Sequence, residues 1–170
     1  MLSEAFSIAG DILIAPFIHT QMLWDVIPLL VTMVVIEIYF GRYKDESLGW
    51  NSALSNSLVL IFVGSSLIRY LHSQGLFDFP DAWSGIAVFL VTAGIYLAVF
   101  NFYHEIPRKI AFGLSSVLPI NMLAYIGVVM IYRRMHFDLT TILGILFVFA
   151  GAWAFFSLLK YVIVKATPDN

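Results

Sequence analysis

Residues 82–103 read AWSGIAVFLVTAGIYLAVFNFY, a stretch without a single Asp, Glu, Lys or Arg. An α-helix needs about 20 mostly apolar residues to cross the roughly 30 Å hydrocarbon layer of a bilayer. The stretches 110–132 and 139–159 are of similar length and are also free of charged residues. The sequence therefore predicts at least three transmembrane helices.

Two further stretches are long and apolar enough to complete a set of five. Residues 22–40 hold Asp25 near the start and Glu37 near the end, whereas 50–68 contain several Ser and Asn residues. We therefore predict an all-α fold, an integral membrane bundle of about five transmembrane helices that forms one domain over the whole chain. The predicted spans within residues 1–170 are 22–40, 50–68, 82–103, 110–132 and 139–159.

The segment before the first span, residues 1–20, has apolar residues near helical spacing but also contains Glu4 and Asp11. Its helical part, residues 3–18, is only sixteen residues long and includes both carboxylates, so it is a poor candidate to cross a bilayer. We expect a short interfacial helix that lies in the plane of the membrane surface. Pro16 is expected to end this helix ahead of the first span.

The overall composition also indicates a membrane protein. Hydrophobic residues make up 61% of the 170 residues and charged residues 12%, whereas soluble domains contain about 25% charged residues. The net charge of −2 gives no reason to expect a nucleic-acid partner. The chain has no cysteine, which excludes disulfides and thiolate metal sites. We expect membrane lipids and either further copies of the chain or other membrane subunits as partners, and no cofactor.

Basic residues are distributed unevenly between the two sides of the predicted bundle, and this bias sets orientation in membranes. Six lie on the side that holds the C-terminus: Arg42, Lys44, Arg108, Lys109, Lys160 and Lys165. Three lie on the side that holds the N-terminus: Arg69, Arg133 and Arg134. We therefore predict a multi-pass protein of the cell membrane with its N-terminus outside and its C-terminus in the cytoplasm.

The second span carries a stripe of polar residues that is interrupted by apolar ones. At about 100° per residue the stripe residues share one face of the helix. The polar members are Asn51, Ser55, Ser66 and Arg69, with Ser52 and Asn56 adjoining, and the apolar members between them are Val59, Phe62 and Val63. A pore-lining helix with a hydrophobic gate would show this pattern of polar mouth, apolar girdle and polar mouth. Alternatively, the Ser residues and Gly64 allow close helix packing, and the Asn side chains bond across helices.

A second group of polar residues is expected at the cytoplasmic ends of the spans. It consists of Glu37, Asn101, His104, Glu105 and Asn121. Asn101, His104 and Glu105 share a helix face and, with Glu37, could handle protons or bind a metal. The spacing matches no metal-ligand pattern, since Arg108 stands where a zinc-binding HExxH motif needs its second His. The alternative is that Glu37 and Glu105 pair with Arg42, Lys44, Arg108 or Lys109 near the headgroups.

Proline inside the fourth span is expected to distort its backbone. Pro119 removes one backbone hydrogen bond and kinks its helix, which would free a carbonyl near Ser115. Such broken backbone at membrane depth is tolerated where it lines water or is buried in protein.

The first third of the chain resembles uncharacterised small polytopic membrane proteins of archaea. The similar residues are Ile14-Ala15-Pro16, Leu23-Trp24, Ile27-Pro28, Glu37-Ile38-Tyr39-Phe40-Gly41 and Leu48-Gly49-Trp50-Asn51. This resemblance implies a prokaryotic cell membrane and no particular activity.

The sequence contains no Walker loop, no GxGxxG and no GxSxG elbow. We therefore expect no catalytic or metal site. Three functional classes remain. The favoured class is a homo-oligomeric channel or pore, because the chain is small and the second span carries the polar stripe. The alternatives are an accessory or structural subunit of a membrane complex, and a lipid- or isoprenoid-modifying enzyme at the inner leaflet.

Overall fold

A computed structural model describes residues 1–43, 48–78 and 81–166, and all regular structure in these ranges is helical. Lys44, one of the basic residues counted for orientation, lies outside them. The helices are α1 (Leu2–Ile18), α2 (Leu23–Arg42), α3 (Trp50–Ser73), α4 (Ala82–Tyr103), α5 (Arg108–Leu114), α6 (Val117–Tyr132) and α7 (Leu139–Ala166), and a 3-10 turn, Thr20–Met22, precedes α2.

Five helical segments are long and apolar enough to cross a membrane, which confirms the predicted fold class. They are Thr20–Arg42, Trp50–Ser73, Ala82–Tyr103, Arg108–Tyr132 and Leu139–Lys165. The second and fifth continue past their predicted ends at 68 and 159. Chain direction alternates from span to span, so the bundle has two ends. We call them the His104 end, where α4 ends, and the Tyr132 end, where α6 ends.

The fourth span lies at the centre of the bundle. Within its most apolar 18 residues 72% are buried, against 17–33% in the other four spans. The other helices pack around α6: α3 and α4 on one side, α2 and α7 on another, and part of α1. Their outward surfaces carry large exposed apolar side chains, such as Phe89 and Phe155, as a lipid-facing surface requires.

The fourth span is not one kinked helix, as the sequence predicted, but two helices separated by Ser115 and Ser116. Pro119 is the third residue of α6, in the first turn, where a missing N–H costs least. Its ring would clash with the carbonyl of Ser115, four residues earlier, if the helix continued. The chain therefore breaks ahead of the proline instead of bending at it.

The helix α1 packs against α7 and also contacts α6. Gly144 of α7 allows the close approach, since a Cβ there would lie 2.7 Å from Ile8. Pro16 does not end α1, which runs two residues further to Ile18. The carbonyl that Pro16 leaves without its helical donor is that of Ile12, and it accepts a hydrogen bond of 2.8 Å from the hydroxyl of Tyr125. A side chain of α6 thus compensates for the proline.

The helices α3 and α4 form the most extensive pair in the bundle because glycines bring their backbones together. A Cβ on Gly64 of α3 would lie 2.7 Å from Val91, and a Cβ on Gly94 of α4 would lie 2.7 Å from Ile61. Ser57 and Leu60 are fully buried on the face of α3 that also carries Gly64. The polar stripe lies on a different face of α3 and is therefore not covered by α4.

Candidate functional site

A groove runs between α2 and α3, with α6 as its floor, and we call it the α2–α3 groove. It consists of two adjacent cavities that share Thr32 of α2. The cavity towards the His104 end has about 450 Å³, and the one towards the Tyr132 end about 280 Å³. The stripe of α3 lines both: Asn51, Ser55 and Asn56 line the first, and Val59, Phe62, Val63 and Ser66 the second.

Asn56 connects the groove to the break in the fourth span. Its Nδ2 donates a hydrogen bond of 2.8 Å to the carbonyl oxygen of Ser115. This is the carbonyl that would have accepted from residue 119 in a continuous helix, and Pro119 has no N–H to give. The side chain of Asn56 therefore replaces the hydrogen bond that the proline removes.

Asn101 of α4 holds the same break from the opposite side. Its Nδ2 lies 2.8 Å from the hydroxyl oxygen of Ser115 and 2.9 Å from that of Ser57, and the Ser57 hydroxyl donates to the carbonyl of Ala53. Asn101 is 1% exposed and Ser115 fully buried, so this polar contact is enclosed by three helices. A buried polar group needs such partners, because leaving one unpaired costs about 1–3 kcal/mol.

Asn121 of α6 contributes to the floor of the groove about halfway along it. Its Nδ2 donates to the carbonyl of Val117 over 2.9 Å. Its Oδ1 is buried and has no hydrogen-bond partner among the described residues. The amide thus lines the Tyr132-end cavity with one of its two N–H groups already used.

Asp25 occupies the Tyr132 end of the groove, at the start of α2. Its carboxylate accepts a hydrogen bond of 2.9 Å from Ser66 of α3 and one of 3.1 Å from the hydroxyl of Tyr132. Tyr132 in turn stacks on Tyr70, with 4.1 Å between ring centroids. Three helices therefore fix the position of this carboxylate, which the sequence indicated only as a polar residue near the start of a span.

Glu37 lies in a different place, a cavity of about 540 Å³ between α2, α6 and α7. The side chain is only 6% exposed, and its Oε2 lies 2.5 Å from Nζ of Lys160 in α7. The partner expected from the sequence was Arg42, Lys44, Arg108 or Lys109. Lys160 takes that role because α7 is long enough to reach the His104 end beside α2, where Gly41 lies next to Lys160.

His104 and Glu105 are exposed at the end of α4. His104 has a left-handed backbone, with φ of 58°, and its ring stacks on Trp50 at 4.1 Å. Glu105 forms no ion pair within 4.0 Å in the part of the chain that the structure describes.

The predicted cluster of five polar residues is therefore spread over separate surfaces of the bundle. Glu37 contacts α7, Asn101 is buried against α3 and α5, and Asn121 lies on the groove floor. The described ranges contain no group of three His, Cys, Asp or Glu side chains that could hold a metal ion. These five side chains do not share the one site that the hypothesis of an inner-leaflet enzyme places them in.

Sequence reasoning missed the contacts of Tyr125, Lys160 and Tyr132. One signal was available: a proline within a helix leaves the carbonyl four residues earlier without a donor, which marks Ile12 and Ser115. Which side chain donates to each of these two carbonyls depends on how the helices pack, and no sequence pattern indicates it.

Comparison of the chain with protein-family models, curated proteins and solved structures finds no match.

Proposed function

We propose that this chain is a homo-oligomeric membrane channel whose pathway follows the α2–α3 groove. The observation that carries the proposal is the direction of the stripe on α3. Its polar and apolar members line two adjoining cavities from Asn51 to Ser66, while the opposite face of α3 packs closely on α4. A polar-apolar-polar lining of this kind is typical of a pathway with a hydrophobic gate.

The open side of the groove supports self-association. Trp24 and Phe62 line the Tyr132-end cavity and are 86% and 71% exposed. Facing hydrocarbon, the polar lining of a single copy would be left without hydrogen-bond partners, which is unfavourable. A second copy seated against this side encloses the polar wall and turns a lateral groove into a pathway.

The gate is formed by Val59, Phe62 and Val63, which separate the two polar parts of the groove. An apolar constriction blocks ions by excluding water. We expect Phe62→Ser to lower the cost of wetting this zone and to raise the conductance of reconstituted bilayers, with little loss of thermal stability. Val63→Ser acts on a more buried residue and should show the same direction of change with a larger loss of stability.

The matched control is Phe155→Ser, because Phe155 is an exposed phenylalanine on α7 that lines none of the described cavities near the groove. It should leave the conductance at the wild-type level. If Phe62→Ser lowers stability and no current appears in the wild type or the variants, the channel proposal is wrong.

An accessory subunit is the second candidate, and the same exposed Trp24 and Phe62 favour it. In that case a helix of a different protein covers the groove. Light scattering of the purified protein in detergent separates the two candidates. A stable oligomer of identical chains supports the channel, and a monomer at all concentrations supports the subunit.

The proposed orientation places the His104 end in the cytoplasm and the N-terminus outside. Among the described residues, five basic side chains lie at or beyond the His104 end: Arg42, Arg108, Lys109, Lys160 and Lys165. Arg69, Arg133 and Arg134 lie at the Tyr132 end. The bias favours a cytoplasmic His104 end. A reporter enzyme fused after Asn170 should be active only if the C-terminus is cytoplasmic, and activity of an extracytoplasmic reporter at the same site would reverse the orientation.

A further inference from the structure

A second groove, which we call the α4–α7 groove, opens between α4 and α7 in the half of the bundle towards the Tyr132 end. It has about 590 Å³ and is lined by side chains within residues 82–90 of α4, 123–130 of α6 and 142–149 of α7, together with Phe137. Every lining residue is Ala, Gly, Ile, Leu, Met or Phe, whereas the cavities described above contain polar side chains. A water molecule in this groove would find no polar side chain to bond to.

The α4–α7 groove is deep and narrow. Ile126 and Met130 on its floor are almost completely buried, whereas Phe89 and Leu146 on its two rims are more than half exposed. An α-helix with its side chains is about 10–12 Å wide, so a helix of a second copy would rest on the rims and leave the floor uncovered. A flexible hydrocarbon chain is thin enough to reach α6. It would restore the dispersion contacts that the lining of an unfilled space loses.

An arginine lies at the outer mouth of this groove. The turn after α6 is joined to the start of α4, since Nε1 of Trp83 donates to the carbonyl of Met135 over 3.2 Å. Ala82 and Phe137, on either side of this contact, both line the groove. In the same turn the exposed guanidinium of Arg134 lies 5.9 Å from the centre of the Trp83 ring and forms no ion pair within 4.0 Å in the described ranges.

The mouth also carries two carboxylates. Asp81 begins α4 and accepts from the backbone N–H of Trp83, and Asp138 begins α7 and accepts from that of Thr141. The helices that they begin form the two walls of the groove. Charges of both signs therefore surround the entrance to a wholly apolar space, with one arginine against two carboxylates.

We propose that the α4–α7 groove binds one zwitterionic phospholipid, with a hydrocarbon chain lying against α6 and the phosphate at Arg134. The ammonium of the headgroup then faces Asp81 or Asp138. An anionic phospholipid fits less well, because it offers these carboxylates no positive charge and adds a negative one to a mouth that holds a single arginine. This binding site does not depend on the channel proposal.

Native mass spectrometry of the full chain, purified in detergent and freed of lipid, tests the proposal. Dioleoylphosphatidylethanolamine is the probe, and dioleoylphosphatidylglycerol is the anionic comparison. We expect one molecule of the probe to bind per chain at low lipid concentration, and the anionic lipid to bind about threefold more weakly, which is the scale of an exposed charge pair. Arg134→Gln should weaken binding of the probe by about the same factor.

Gly85→Phe tests whether the hydrocarbon chain occupies the groove. A Cβ on Gly85 would meet no atom within 4 Å, so the new side chain has room and extends into the groove that Gly85 lines. Binding of the probe should weaken about tenfold or more, because excluding two methylene groups from an apolar site already has an effect of that size. If Gly85→Phe does not fold, Gly85→Leu takes its place, since a smaller and more flexible side chain enters the same space.

The matched control is Gly151→Phe on α7, where a Cβ would also meet no atom within 4 Å and which lines none of the cavities described above. It should leave the affinity unchanged. Wild-type affinity in the Gly85 variant, or no bound lipid in the wild type, would overturn the proposed site. Equal affinity for the two lipids, or wild-type affinity in Arg134→Gln, would overturn the assignment of the headgroup. Loss of an oligomer with unchanged lipid binding in Gly85→Phe would show that a second copy covers the groove instead of a lipid.

Discussion

Nδ2 of Asn56 donates a hydrogen bond of 2.8 Å to the backbone carbonyl of Ser115, joining the third helix to the break in the fourth span. The contact has two roles. It satisfies a carbonyl that Pro119 leaves without a donor, and it positions the amide in the wall of the α2–α3 groove. Stability of the central span and the chemistry of the groove therefore depend on the same side chain.

Asn56→Ala should destabilise the protein by about 1–3 kcal/mol, because the carbonyl of Ser115 is left without a partner inside the bundle. Thermal unfolding in detergent measures the effect. Asn51→Ala is the control, since Asn51 is an exposed residue on the same helix without a hydrogen bond to any described residue. Equal loss of stability in the two variants would show that the Ser115 contact contributes nothing specific.

Lys160→Met should destabilise the protein by about 1–3 kcal/mol, because the buried carboxylate of Glu37 loses its counter-charge. We expect a smaller destabilisation than for a fully buried ion pair, because the side chain of Lys160 is 41% exposed and water partly screens the interaction. The double variant Glu37→Gln/Lys160→Met should recover most of the loss. Lys165→Met, on the same helix without an ion pair in the described structure, is the control. If the double variant is no more stable than Lys160→Met, the two residues are not coupled.

Gly64→Ala should destabilise the protein by about 1–3 kcal/mol through overpacking of α3 against α4. The added Cβ would lie 2.7 Å from Cγ2 of Val91 and 2.9 Å from its backbone nitrogen, and the backbone cannot move aside as a flexible side chain would. Gly151→Ala in α7 is the matched control, with no atom within 4 Å of the new Cβ. That variant should gain about 0.5–1 kcal/mol from the better helix propensity of alanine. A neutral Gly64→Ala would contradict the close helix contact.

Asp138 should make the stability of the protein depend on pH. Its Oδ1 accepts from the backbone N–H of Thr141 at the start of α7, over 2.7 Å. Hydrogen bonds from the backbone and side chain of Thr141 lower the pKa of this carboxyl below its ordinary value of 3.8. Because the pKa is lower in the folded than in the unfolded state, the cap stabilises the protein above the ordinary pKa, and its contribution is lost as the pH falls through the folded value.

Asp138→Asn provides the test, since Asn also caps helices but does not titrate in this range. We expect the difference in melting temperature between wild type and variant to be constant near pH 7. Below about pH 4 it should shift in favour of the variant. A difference that stays the same from neutral to acid pH would show that the carboxylate does not act as a cap.

Much of the fold was determined by the sequence alone, because span location depends on a local property. A run of about 20 apolar residues must cross the bilayer as a helix wherever it occurs, since hydrocarbon offers no partner for backbone polar groups. Residues 82–103 and 110–132 could therefore be identified without any knowledge of their neighbours. Pro119 alone also predicted a backbone irregularity near Ser115. It did not predict its form, because the chain breaks there and does not kink.

Tertiary structure decided which polar side chains meet. Glu37 pairs with Lys160, which is 123 residues later in the chain, and Asp25 accepts from Ser66 and Tyr132 on two other helices. Helical periodicity places a residue on a face of its own helix but does not determine which helix that face meets. In this bundle glycines turn one face of α3 against α4 and leave the stripe from Asn51 to Ser66 facing the groove. That choice depends on the packing of all helices around α6, and no local pattern encodes it.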